Sequence, residues 1–262
     1  MLGGKEMSLQ FDHLVHQVPS PEETMDFLNT HGIHTVTGGK HTMWGTYNTL
    51  SYFGLTYIEQ IAMYDRALFE DAAKLPYSLH HTFKQNNEQY GFSRIALRTK
   101  AIDREAARLR ALGYEVYGPD VCSRTRPDGT VVKWKLLHFG KPDIAIDFPF
   151  LIEWADEDAE RLAQLQKSGA WNGEQRMEMT SIRFVVKDVN ETISLWEEAL
   201  NLQKIVDKEV ASLQLPNMRL DFYSSNDIVP EQKEGPFAVT LADASKEKQT
   251  IMFSHALYLV NP

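Results

Sequence analysis

The hydrophobic period of the chain changes in a recurring order: a short strand-like run, a helical stretch, then several further strand-like runs. Phe11-Asp12-His13-Leu14-Val15-His16-Gln17-Val18 has strand character. Ser20-Pro21-Glu22-Glu23 follows as a helix start, with Ser20 at the cap, Pro21 at the first helical position and a glutamate placed to complete a capping box. Met25, Phe27 and Leu28 give that helix its apolar face, and Gly32 suits the residue that ends it. Thr37-Gly38-Gly39-Lys40 and residues 48–53 and 56–63 then read as β-rich sequence with turn signals.

The same order recurs. Residues 92–99 form a second first strand, Ala106, Leu109 and Leu112 mark a second helix, and Gly113 ends it. Strands over 114–117, 131–138 and 150–154 follow, with Pro127-Asp128-Gly129 as a turn. A third copy begins at 180–186, is capped by Asp188-Val189-Asn190-Glu191, and carries Ile193, Trp196 and Leu200 before Asn201. The step from His13 to Gly32 is 19 residues, from Arg94 to Gly113 also 19, and from Ser181 to Asn201 is 20. Matched offsets with matched capping predict internal duplication. The expected fold class is α+β: tandem βαβββ modules at about 9–73 and 91–155, whose curved mixed sheets enclose a cavity and together make one domain over 9–155. A connector over 156–178, helical at 156–167, leads to a third, looser module over 179–262, whose strands are expected at 202–206, 218–223, 238–241 and 251–260. Residues 226–235 read as a loop.

Composition narrows the classes of partner. Of the 262 residues, 43% are hydrophobic and 24% charged, which is ordinary for a globular protein. A net charge of −9 argues against a nucleic-acid partner, which would need clustered Lys and Arg. No apolar run is long enough for a membrane span, and the first residues lack an apolar signal core, so a cytoplasmic address is expected. The single cysteine, Cys122, allows no internal disulfide and no multi-cysteine metal cluster, and it has no recognisable base beside it.

Side chains alternate across a strand, so His13 in the first strand and Glu59 in the last strand of one module can meet on one concave face. Imidazole and carboxylate are ligands for Zn, Ni, Fe or Mn. Repeat alignment puts Arg94 opposite His13 and Glu153 opposite Glu59, because Leu151-Ile152-Glu153-Trp154 parallels Tyr57-Ile58-Glu59-Gln60. His13, Glu59, Arg94 and Glu153 are therefore expected in one cavity. His41, Trp44 and Asn48 are candidates for ligand contact near its mouth, and Arg124 and Arg126 for an anion clamp. His16 falls on the opposite face, Trp134 and Trp154 read as core, and His80-His81 reads as surface.

Asp12-His13-Leu14-Val15 with its capped helix and Tyr57-Ile58-Glu59 resembles the opening module of the vicinal oxygen chelate superfamily, which includes glyoxalase I, extradiol dioxygenases and antibiotic-resistance proteins. Gly38-Gly39-Lys40-His41, Gly45-Thr46-Tyr47-Asn48, the run from Arg124 to Gly129 with Trp134, and Pro149 to Trp154 are similar to the signature of its glyoxalase-like domain family. In metal-dependent members the ligands come from the first and last strands of each paired module. The resemblance therefore implies His13, Glu59 and Glu153 as metal ligands, whereas Arg94 stays protonated and repels a cation. Two readings stand: one divalent metal, with Glu59 or Glu153 as general base and acid of a lyase or isomerase; or no metal, with Arg94 holding an anionic ligand. Extradiol chemistry is disfavoured because a second histidine is missing where Arg94 stands. A non-catalytic binding or sequestering protein is the alternative to an enzyme, and pairing of exposed sheets makes a homodimer an expected assembly.

Overall fold

The structure, a computed structural model, describes residues 9–126, 129–144, 147–173, 176–206, 210–225 and 234–262. Expectations for Pro127-Asp128 and for most of the 226–235 loop fall outside them. The elements start and stop where local chemistry directs. The first strand, β1 (Gln10–Gln17), leads to helix α1 (Pro21–Thr30), whose cap Ser20 accepts from Glu23 N. Gly32 then turns the chain at φ +76°. Strands β2 (Val36–His41), β3 (Thr46–Phe53) and β4 (Thr56–Met63) complete the first module. Two short helices, α2 (Arg66–Ala72) and α3 (Leu79–Gln85), join it to the second. That module consists of β5 (Gly91–Arg98), α4 (Ile102–Ala111), β6 (Glu115–Thr125), β7 (Val131–Gly140) and β8 (Phe150–Trp154).

These eight strands form one sheet in the order β2-β3-β4-β1-β5-β8-β7-β6. Its centre is the antiparallel β1–β5 pair, while β1–β4 and β5–β8 are parallel. The sheet curls until its edge strands approach: a methyl group on Gly39 of β2 would lie 3.0 Å from Arg124 Cδ and 3.1 Å from Thr125 O of β6. The Gly38-Gly39 pair is what lets the two edges come together.

Helix α5 (Asp158–Lys167) crosses to a second sheet. There β9 (Glu178–Val186), α6 (Val189–Leu200), β10 (Gln203–Val206), β11 (Ala211–Leu215) and β12 (Met218–Ser224) repeat the first module, with Asp188 capping α6 and Asn201 ending it at φ +51°. Strands β13 (Gly235–Ala242), β14 (Gln249–Phe253) and β15 (Ala256–Asn261) follow, and the order is β10-β11-β12-β9-β13-β15-β14. β9–β13 pair antiparallel and β13–β15 parallel, as β1–β5 and β5–β8 do. The strands read from sequence as one loose copy thus fall into a full βαβββ unit and a fourth unit reduced to three strands. The expected single strand at 251–260 is a hairpin, turned by Ser254 and His255 at positive φ.

One apolar core runs through both sheets, joining Leu14, Ile95 and Leu97 to Ile182, Leu220 and Val239 under α1, α4 and α6. The seam also carries polar contacts: Asn217 bonds the backbone of Phe11, and His16 Nδ1 lies 2.8 Å from Tyr258 Oη. No helix among the described residues is long and apolar enough to cross a membrane.

Candidate functional site

The concave face of the first sheet encloses a cavity of about 300 Å³, roofed by α2, α3 and the residues between them. Strand alternation decides which side chains enter it. β4 contributes Tyr57, Glu59 and Ile61; β8 contributes Phe150, Ile152 and Trp154; β7 contributes Trp134, Leu136 and His138. His13 enters from β1, Asn48 from β3 and Arg124 from β6, while His41, Trp44 and His80 close the roofed side.

His13 stacks on Tyr57 with ring centroids 4.6 Å apart and meets the edge of Phe150. Its Nδ1 lies 2.8 Å from Asp12 Oδ1, and Asp12 Oδ2 accepts the indole N–H of Trp154 at 2.9 Å. Arg161 of α5 reaches to 3.7 Å of that same oxygen and lies 4.1 Å over the Trp154 ring. Burial works to raise the Asp12 pKa, but the His13 hydrogen bond and the charges of Arg161 and Arg98 outweigh it, leaving the carboxyl below its usual range. An anionic Asp12 only accepts, so His13 donates from Nδ1 and, when neutral, presents a bare Nε2 lone pair. That nitrogen is 3.7 Å from Glu59 Oε2. Two acceptors thus face one gap, which is suited to a shared proton or a donor on a ligand.

Asn48 fixes the carboxylate. Its Oδ1 accepts from Gly39 N at 3.0 Å and Arg124 Nη1 at 2.8 Å, so its amide donates to Glu59 Oε1. His41, with Nδ1 3.1 Å from Thr46 Oγ1, brings Nε2 to 4.0 Å of the same Oε1. Burial pushes His41 down to about 4, against the pull of the Glu59 carboxylate, and burial with neighbouring positive charge pushes His80 and His138 to about 3, so all three rings are neutral near pH 7. His80 Nε2, His138 Nδ1 and Arg124 Nε are buried without a hydrogen-bond partner. Arg124 is the one Lys or Arg among the described residues of the lining. Burial lifts the Cys122 thiol to about 12, which makes it a poor nucleophile.

The structure separates the expected quartet. His13 and Glu59 meet, and His41, Trp44, Asn48 and Arg124 join them. Arg94 and Glu153 do not line the cavity. Arg94 is buried under α3, donating to Tyr77 O at 3.0 Å, Thr82 Oγ1 at 2.9 Å and Phe148 O, so its charge pins the connector to β5. Glu153 points to the helix side, where Oε2 accepts Ile102 N at 2.8 Å and caps α4, whose own cap position is Ala101. Arg126 donates to Gln164 Oε1 at 2.9 Å and lines a separate pocket. Conversely, His80 is buried in the lining rather than on the surface, and Trp134 and Trp154 are walls of the cavity.

The ligand set that the resemblance implies for a metal, His13, Glu59 and Glu153, is therefore not assembled. By strand register, His13 pairs with Tyr57 as Ala96 pairs with Phe150, so the second module's counterparts of His13 and Glu59 are Ala96 and Ile152, neither of which can ligate. His13 and His41 flank the two oxygens of Glu59 instead of sharing one point with it. Among the described residues no three His, Cys, Asp or Glu side chains are placed to hold a metal ion.

Comparison with known proteins agrees with this scaffold. A Staphylococcus aureus protein described as hypothetical superposes with a TM-score of 0.86 at 24% identity, over 97% of this chain and 99% of its own, which shows a shared fold. Methylmalonyl-CoA epimerase from Mycobacterium tuberculosis gives a TM-score of 0.42 at 18% identity, over 61% of this chain and 97% of its own. No curated protein matches. The family model of the glyoxalase-like domain matches residues 11–200, and the chain belongs to that family.

Proposed function

We propose that the cavity binds a small, flat, oxygen-bearing anion and that His13 and Glu59 move a proton on it, in chemistry of the lyase or isomerase kind. The observation that carries this reading is the His13 Nε2–Glu59 Oε2 gap of 3.7 Å, with the His13 tautomer held by Asp12. His13 would take the proton from a carbon beside a carbonyl, and the electron pair would pass to the carbonyl oxygen as an enolate. The imidazolium then sits between Asp12 and Glu59, which offset its charge. Return of the proton to the same or a neighbouring carbon completes an epimerisation or isomerisation. Arg124, the one cationic side chain among the described residues of the lining, is the group to hold the ligand's anionic end. The aromatic walls of Trp44, Trp134 and Trp154 favour a planar body and support a second reading, non-catalytic sequestration.

Solvent exchange separates the two. Protein in D2O is mixed with a panel of 2-oxo and 2-hydroxy-carbonyl carboxylates, and loss of C–H signal is followed by proton NMR. Exchange that falls about 10²–10⁴-fold in His13→Gln and Glu59→Gln is expected. Tight binding without exchange would leave sequestration. Exchange that requires one equivalent of divalent metal would restore the metal reading.

A further inference from the structure

Resting on the ligand-binding reading above, we propose that the ligand is bipartite: a flat head in the large cavity and an anionic group, carboxylate or phosphate, carried on a chain into the pocket beside it. That second pocket has a volume of about 200 Å³ and lies between β2, β3, the end of β6 and α5. It is a continuation of the same concave face. Asn48 and Leu50 of β3 line the large cavity, whereas Leu50 and Tyr52 line the second pocket, so one step of two residues along β3, about 7 Å, leads from one to the other. Leu50 and Arg124 are walls of both.

The chemistry of the second pocket is cationic. Arg124 and Arg126 line it, and no Asp or Glu does among the described residues. The planar fork of a guanidinium matches carboxylate and phosphate oxygens. Arg124 already joins the two compartments through Asn48, whose amide holds Glu59. The glycine pair makes that link sterically feasible, since a methyl group on Gly38 would collide with Asn48 Oδ1 and come within 3.0 Å of Arg124 Nη1. A ligand too short for the second pocket meets one guanidinium; a longer one meets two.

The probes are phenylacetate and its homologues with up to about seven methylenes, the alcohols of equal length, and the corresponding alkyl phosphates, titrated calorimetrically into the full chain. For the wild type, carboxylate and phosphate affinity should rise at least tenfold once about five methylenes separate ring and anion, and the alcohols should show no such rise. Arg126→Ala should erase the rise while leaving phenylacetate within about twofold, and Ser168→Trp, an exposed position at the rim, should do the same by filling the pocket. Whichever anion gains more identifies the end group. Phenylacetate binding with no gain on lengthening, or a gain that survives both variants, overturns the bipartite ligand and leaves the cavity reading intact. No binding by any homologue overturns both.

Discussion

Acid should unfold this protein in a narrow and unusually high range of pH. Four histidines are buried and held neutral: His41 at about 4, and His16, His80 and His138 at about 3. Their exposures are 6%, 0%, 6% and 7%, so solvent does little to soften the effect. In the unfolded chain each protonates near 6.5. Above that value neither state binds the extra proton and the groups contribute nothing. As the pH falls from 6.5 toward the folded values, the unfolded chain takes up protons that the native state refuses, so stability falls with pH. By about pH 5 each group costs roughly 2 kcal/mol, and four cost roughly 8 kcal/mol, comparable with the whole stability of a typical domain. Urea unfolding followed by tryptophan fluorescence at stepped pH measures the slope directly. A slope of three to four protons is expected between about pH 6 and 5, and His80→Phe should remove one of them. A stability that stays flat over that interval, or a slope that His80→Phe leaves unchanged, would refute the argument.

Four further outcomes follow from the site and its supports. Arg161→Ala leaves buried Asp12 without its nearest cation and should cost roughly 3 kcal/mol in urea unfolding, while raising the Asp12 pKa and shifting the pH profile of any proton exchange. Arg94→Ala strips donors from Tyr77 O, Thr82 and Phe148 O; it should lower stability by roughly 3 kcal/mol yet weaken short carboxylates much less than Arg124→Ala does. Gly38→Ala puts a methyl group against Asn48 and Arg124 and should cost about 1–3 kcal/mol, read as a lower melting temperature. Protein purified without added metal should hold well under one equivalent of Zn, Ni, Fe or Mn by mass spectrometry of the elements, since the ligand set is incomplete.

The parts of the fold written locally were legible. Ser20, Asp188, Gly32 and Asn201 announce helix ends by their own chemistry, and equal offsets between them expose the duplication. His13 and Glu59 were legible because both belong to one module with short, unambiguous strands. Glu153 was not, because strand faces alternate and a one-residue slip reverses them. Similarity of Leu-Ile-Glu-Trp to Tyr-Ile-Glu-Gln pointed inward, whereas the pairing of Ala96 with Phe150 turns Phe150, Ile152 and Trp154 inward and Glu153 out. His80 sits in a connector without periodicity, so only the roof it forms over the cavity reveals its burial. The fourth unit escaped for a related reason: no helix follows β13, and the strand–helix signature that marks the other units is absent.

The support of Asp12 has a consequence for how the chain can be divided. The carboxylate that orients His13 is held on one side by Trp154, the last residue of β8, and on the other by Arg161, beyond the paired modules. A cut after residue 155 would look natural from the repeat pattern and would leave all eight strands of the first sheet in place. It would also remove the Arg161 cation from a buried anion, leaving only Trp154, Arg98 and His13 itself to hold the carboxylate that sets the tautomer. The support of this site therefore extends at least through α5, and exchanging paired modules between relatives should keep the Asp12–His13 pair in place only when that helix travels with them.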